Sequence, residues 1–248
     1  NKFKQVENSD NEIVSTPVYV PVSRMTSIAA GKGDEFTTSY GVQELGKVLA
    51  WGSNESSEMG EGVIDSVTGQ AIVSGGGLEN IRVLEVAAGN GNAAALTENT
   101  TNNSYEYYVW GNNDNGQLGV DGKIVAYPTL VEALKDNPAT PNADETILVS
   151  AVELSESHTI IIDALTKRAY TWGKNDRNQL GYQQSILNNG KPMTSPSTEN
   201  YAKEAHLVTR DKGDLNFLEV ASGKNHSVGI VIPASEAETA TQGTVYAW

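Results

Sequence analysis

Trp110-Gly111-Asn112-Asn113-Asp114-Asn115-Gly116-Gln117-Leu118-Gly119 returns later as Trp172-Gly173-Lys174-Asn175-Asp176-Arg177-Asn178-Gln179-Leu180-Gly181. A third copy, from Trp51 to Gly60, keeps Gly52, Asn54 and Gly60 but carries Glu58-Met59 in place of Gln-Leu. A fourth begins at Val245-Tyr246-Ala247-Trp248. Each Trp ends a short apolar run, and an Asn-rich turn follows the first three. Self-similarity at this period means stacked supersecondary units, each too small to bury its own apolar face.

A second segment recurs upstream of each Trp: Ile28-Ala29-Ala30-Gly31, Val86-Ala87-Ala88-Gly89, Val152-Glu153-Leu154-Ser155 and Val220-Ala221-Ser222-Gly223. Three positions further on stand Asp34, Asn92, His158 and His226, each leading into a strand. Within one unit, residues 84–88, 93–96, 105–110 and 129–131 are four apolar runs separated by turn residues. That is one propeller blade's complement of strands. No long segment has helical period and caps, although a short helical turn fits over 131–135.

The combined pattern resembles the repeat of the regulator of chromosome condensation family. That repeat runs Ala-x-Gly-x-x-His, a strand, Trp-Gly-x-Asn-x-x-Gly-Gln-Leu-Gly, then Pro-x-x-Val. The last element is met at Pro128 to Val131 and at Pro17 to Val20. Ser155 for Gly, Asp34 and Asn92 for His, and Glu58-Met59 for Gln-Leu mark a divergent relative. The resemblance implies an all-β fold, a β-propeller of four-stranded antiparallel blades that closes at seven. It assigns structural repeat positions to Trp51, Trp110, Trp172, Trp248, Gly31, Gly89, Gly223, His158 and His226. The Trp rings are expected to pack strands, and the imidazoles to hydrogen-bond neighbouring turns across the blade.

The repeats divide the chain as a single domain over 1–248, in units of about 1–51, 54–110, 113–172 and 175–248. The opening Asn1-Lys2-Phe3-Lys4-Gln5-Val6-Glu7 aligns with Asn113 to Gly119, and the chain closes on Trp248. Four units of a seven-unit ring are therefore expected to be part of a longer protein, whose further blades cover the exposed strand edges. The Trp-to-Trp spacing grows along the chain, and the excess sits in polar segments over 98–104, 136–145, 183–203 and 233–242. Insertions in repeat folds map to surface loops, where partners bind. Tyr40, Tyr127, Tyr182 and Tyr201 fall in or beside variable segments and are the expected partner-binding residues, since Tyr favours interfaces.

The net charge of −14, from 31 acidic and 17 basic residues, argues against a phosphate-binding surface and so against nucleic acid. The chain has no cysteine, which removes disulfides and thiolate metal sites. Asn112 to Gly116 has the alternating oxygens of a calcium loop, but Lys123 stands where the twelfth-position acid is needed. Asx turns explain the same residues. Ser155-Glu156-Ser157-His158 is a repeat turn and not a nucleophile, because Gly223 to His226 is its copy. No catalytic residue, cofactor or metal is expected, and no segment is apolar enough for membrane insertion.

Composition rich in Asn, Thr, Ser and Gly suggests a bacterial secreted or cell-surface protein. The expected function is a non-enzymatic interaction module that presents variable loops to a protein or glycan partner. Two alternatives rest on the resemblance. One is an inhibitor of a secreted or periplasmic enzyme, as in an exported relative that caps β-lactamase. The other is a nucleotide-exchange factor for a small GTPase, as in the founding member.

Overall fold

A computed structural model describes residues 17, 19–20, 22, 24–32, 37–62, 70–73, 75–99, 104–134, 147–181, 201–210, 213–236 and 239–248. Among the described residues all long elements are strands. The first sheet has the order β1 (Met25–Ala30), β2 (Thr38–Gln43), β3 (Val48–Gly52), β4 (Gln70–Val73). The second is β5 (Arg82–Ala88), β6 (Asn92–Asn99), β7 (Ser104–Asn112), β8 (Ile124–Leu130). The third is β9 (Val149–Leu154), β10 (His158–Asp163), β11 (Ala169–Lys174), β12 (Tyr201–Leu207). A two-stranded ribbon, β13 (Thr209–Arg210) and β14 (Gly213–Asp214), precedes a three-stranded sheet of β15 (Asn216–Ser222), β16 (Ser227–Ile232) and β17 (Thr244–Ala247). Every pairing is antiparallel.

These are the blades of a β-propeller, and the second contains the four runs read from the sequence. The fourth strand of each four-stranded blade follows its Trp, so blades and Trp-to-Trp units are out of phase. The expected short helical turn is a 3₁₀ turn over Glu132–Leu134.

The chain divides into two compact units, 1–113 with 122–130, and 114–121 with 131–248. In the first, β1 and β2 pack against β5. Its second blade pairs small with large: Ala93 lies opposite Trp110 and Ala95 opposite Tyr108, all of them buried. In the second unit, β9 and β10 pack against β15. Ile160, Ile162, Val208, Phe217 and Val220 form its core, with Trp248 against it. β10 is buried along its whole length.

The Trp-Gly pair has a steric cause. Gly52, Gly111 and Gly173 have φ of +121°, +95° and +101°, and a Cβ there would meet the carbonyl oxygens of Thr37, Gly91 and Ser157. Only glycine fits that backbone at that approach. The Gly that closes each motif makes room for the next Trp. A Cβ at Gly60, Gly119 or Gly181 would lie 3.2, 3.0 or 2.5 Å from the indole of Trp110, Trp172 or Trp248. Trp and the final Gly are thus the two halves of one contact between successive repeats.

Candidate functional site

The turn after each Trp-Gly is built three times on one plan. Ser57, Gly116 and Asn178 take left-handed φ of +60°, +67° and +61°. The N–H groups of Gly60, Gly119 and Gly181 donate back to their carbonyls at 2.9, 3.1 and 3.2 Å. Asn54 Oδ1 accepts from the Met59 N–H at 3.0 Å, and Asn175 Oδ1 from the Leu180 N–H at 3.1 Å. Asn113 donates through Nδ2 to the Gly122 carbonyl at 2.7 Å. Gln117 and Gln179 accept through Oε1 from the N–H groups of Asn115 and Arg177, at 2.9 and 2.8 Å.

Glu58 does the same work with a carboxylate. Its Oε2 accepts from the Ser56 N–H at 2.6 Å, and its Oε1 from the Ser53 hydroxyl at 3.0 Å. Its side chain is fully buried. Burial pushes its carboxyl above the ordinary 4.5, against the pull of backbone N–H groups and the Ser53 hydroxyl. Among the described residues no three His, Cys, Asp or Glu side chains gather as metal ligands.

The second repeated turn is closed by one backbone bond. Gly89, Ser155 and Gly223 donate to the carbonyls of Asn92, His158 and His226 at 2.9, 3.0 and 2.9 Å. Gly31 makes the same bond, but to Thr38, at 2.9 Å. Thr38 also pairs with Gly52 as Asn92 does with Gly111 and His158 with Gly173. The His position of the first blade therefore belongs to Thr38. Counting three residues from Gly31 gives Asp34, which is wrong because this turn is longer; Asp34 itself lies outside the described residues.

His158 is fully buried. Ser227 donates to the Gln179 carbonyl at 2.9 Å, so its oxygen is left to accept from His158 Nε2–H, also at 2.9 Å. Ser155 Oγ lies 2.7 Å from His158 Nδ1 and 2.9 Å from the His158 carbonyl, and accepts from the N–H groups of Ser157 and His158. The serine in the glycine slot thus ties the turn backbone to the imidazole. It is also sealed from solvent, which leaves it no nucleophile's access. His226, at the same position of the next blade, is exposed.

Trp51, Trp110 and Trp172 are buried on the third strands of their blades, and Trp248, half-buried, directly follows the third strand of the last. Trp110 Nε1–H donates to the Glu58 carbonyl at 2.6 Å. The Tyr40 hydroxyl donates to that same oxygen at 2.6 Å, with its ring edge-on to Trp110 at 5.9 Å. Tyr40 is therefore no partner-binding residue. It stands on β2 opposite Ala50 and is 1% exposed, and burial, then the Glu58 charge, pushes its hydroxyl well above 10.

Tyr127, on β8, is 49% exposed. Tyr182 lies outside the described residues; Tyr201 opens β12, and its side chain lies outside them. Leu45 and Ile72, at 82% and 47%, are among the exposed apolar side chains that sequence reasoning missed. An isolated Leu in the turn Gln43-Glu44-Leu45-Gly46-Lys47 was the available signal.

The profile of the Regulator of chromosome condensation (RCC1) repeat matches residues 106–162 and 168–230. Protein pim1 of Schizosaccharomyces pombe is 27% identical over 217 residues, 82% of this chain and 33% of pim1. The Secretion-regulating guanine nucleotide exchange factor of Bos taurus is 28% identical over 163 residues, 64% of this chain and 31% of that protein. Among solved structures, Prp20p from Saccharomyces cerevisiae, described with its binding properties to Gsp1p and histones, superposes with a TM-score of 0.62 at 21% identity. That match covers 94% of this chain and 46% of Prp20p, so the chain spans a third to a half of these proteins.

Proposed function

We propose that this chain, which belongs to the regulator of chromosome condensation repeat family, is a non-enzymatic protein-interaction module. The observation that carries the reading is the division of labour among side chains. Glu58, Gln117, Ser155, His158 and Gln179 are buried, and their hydrogen bonds serve the repeat turns. Leu45, Tyr127 and Leu165 stand outside the repeat pattern and are exposed. Exposed aromatic and apolar side chains of this kind anchor protein interfaces. A net charge of −14 disfavours a phosphate-bearing partner. The Asn-, Thr-, Ser- and Gly-rich composition supports an exported or cell-surface setting.

The test is affinity capture on the immobilised chain, quantified by mass spectrometry and repeated with Tyr127→Ala and Leu165→Asp. A partner that saturates the native chain and is lost from a surface variant supports the reading. No saturable partner, or equal capture by every variant, opposes it.

A second reading is nucleotide exchange on a small GTPase. The similarity to a protein named as an exchange factor favours it. Release of fluorescent GDP from small GTPases, accelerated in proportion to added chain, would establish it; unchanged release rates would remove it.

A further inference from the structure

We propose that the free edge of β4 and the groove beside it dock an extended segment of a partner protein, one that alternates apolar and acidic side chains. This rests on the interaction-module reading and names its site and ligand class. The groove, about 650 Å³, is lined by Leu45, Ile72, Leu78 and Ile81, with Lys47, Glu79 and Arg82. Every one of these residues belongs to the first compact unit.

The backbone register shows why an extended segment fits. Gln43 N–H donates to the Lys47 carbonyl at 2.8 Å, and Ser53 N–H to the Thr37 carbonyl at 3.0 Å. In an antiparallel ladder the bonding direction alternates along the strand. The backbone groups of Lys47, Leu49 and Trp51 therefore face β2, and those of Val48 and Ala50 face β4. Their partners on β4 are Val73 and Ala71. The N–H and C=O of Ile72 consequently point away from the sheet, at the edge of its outermost strand. Among the described residues neither group has a partner. An added strand bonds there through its main chain and places alternate side chains in adjoining pockets.

The side chains define the chemistry. Leu45 is held at a hairpin tip whose Gly46 carbonyl accepts from the Val83 N–H at 3.1 Å, so the apolar wall is pinned to the next blade. Arg82 is already bonded to Glu98 at 2.8 Å. Lys47 is exposed, and among the described residues no carboxylate reaches it. With Arg82 engaged by Glu98, Lys47 is the cation of this groove that no carboxylate among the described residues neutralises. A segment with apolar residues for Leu45 and Ile72 and a carboxylate for Lys47 is complementary to it.

The experiment is fluorescence anisotropy of a labelled octapeptide alternating valine and glutamate, against a twin carrying lysine for glutamate, at low salt with the whole chain. The acidic peptide is expected to bind saturably and the basic twin at least about tenfold more weakly. Lys47→Glu should weaken the acidic peptide by about tenfold. Ile72→Pro removes the outward N–H and no bond of the β3–β4 ladder, and should weaken it comparably. Ile124→Ala, at an exposed residue outside the groove lining, should change nothing. If Ile72→Pro does not fold, Leu45→Glu replaces it. Equal binding of the two peptides, indifference to Lys47→Glu and Ile72→Pro, or full competition by octanoate with no effect of Ile72→Pro would overturn the assignment. The last outcome would mark a small-ligand pocket. Absence of peptide binding removes this site alone, whereas the interaction-module reading falls only if the capture experiment fails.

Discussion

The turn over 53–60 and the turn over 174–181 share a backbone and a problem, and they solve it with different residues. Each leaves a buried carbonyl, that of Glu58 or of Gln179, which needs a donor. In the later turn the donor is Ser227, one residue past the His position of the last blade, and Ser227 is itself engaged by His158. Thr159 holds the corresponding place one blade earlier and donates to the Gln117 carbonyl at 2.6 Å. The second blade has Ala93 there, with no hydroxyl to offer. Trp110 and Tyr40 replace it, both donating to the Glu58 oxygen. The repeat therefore conserves a satisfied acceptor more strictly than the residue that satisfies it.

Removing a whole donor ring is the harshest way to break the comparison. Trp110→Ala is expected to destabilise by about 3–5 kcal/mol, the range for a fully buried aromatic. Trp248→Ala should cost less, about 2 kcal/mol, because its indole is half-buried against Phe217 at a ring distance of 5.9 Å. Urea unfolding of both variants checks the ranking; equal losses would mean that the later contact is as closed as the earlier one.

Ser227→Ala tests the later solution alone. It leaves the Gln179 carbonyl and His158 Nε2–H without their partner, and about 2–3 kcal/mol should be lost, the scale of two buried unsatisfied groups. Tyr40→Phe tests the earlier solution more gently. Trp110 still caps the Glu58 carbonyl, so the expected loss is about 1 kcal/mol, read from the denaturation midpoint. If Tyr40→Phe cost as much as Ser227→Ala, the doubled cap on Glu58 would not be redundant.

Much of this frame was legible because steric demands leave residue-specific traces. The positive φ of Gly52, Gly111 and Gly173 and the indole-against-glycine contact admit almost no substitutes, so Trp-Gly and the closing Gly survive in sequence. The donors were not legible, since any hydroxyl or indole that reaches the carbonyl will serve. Thr38 was hidden for another reason: the first blade's turn is longer, and only the Gly31–Thr38 bond shows the register. Tyr40 was read as falling in or beside a variable segment, yet it lies within β2 and pairs with β3. The groove beside β4 joins residues far apart in the chain, so no motif could announce it.

Glu58→Gln is the mildest change and the one that isolates electrostatics. Gln117 and Gln179 show that the turn accepts an amide. Burial raises the Glu58 carboxyl above 4.5, countered in part by its backbone and Ser53 donors, while the Glu55 charge adds to the rise. The Tyr40 hydroxyl and the Trp110 indole, both neutral, bond the Glu58 backbone carbonyl. A carboxyl raised on folding holds its proton more tightly in the native state than in the unfolded one. Its favourable contribution is thus complete below 4.5, the unfolded value, and is lost as pH rises through the higher folded value. Glu58 should accordingly make the native protein lose stability across that window as pH increases. Glu58→Gln cannot ionise, so its stability should be flatter there. At neutral pH it should exceed the native chain by at most about 1 kcal/mol, since the amide gives up charge-assisted bonds to the Ser56 N–H and the Ser53 hydroxyl. Thermal midpoints measured from pH 4 to 8 for both proteins provide the check. Parallel curves, or a variant less stable at neutral pH, would show that those bonds outweigh the cost of burying the charge.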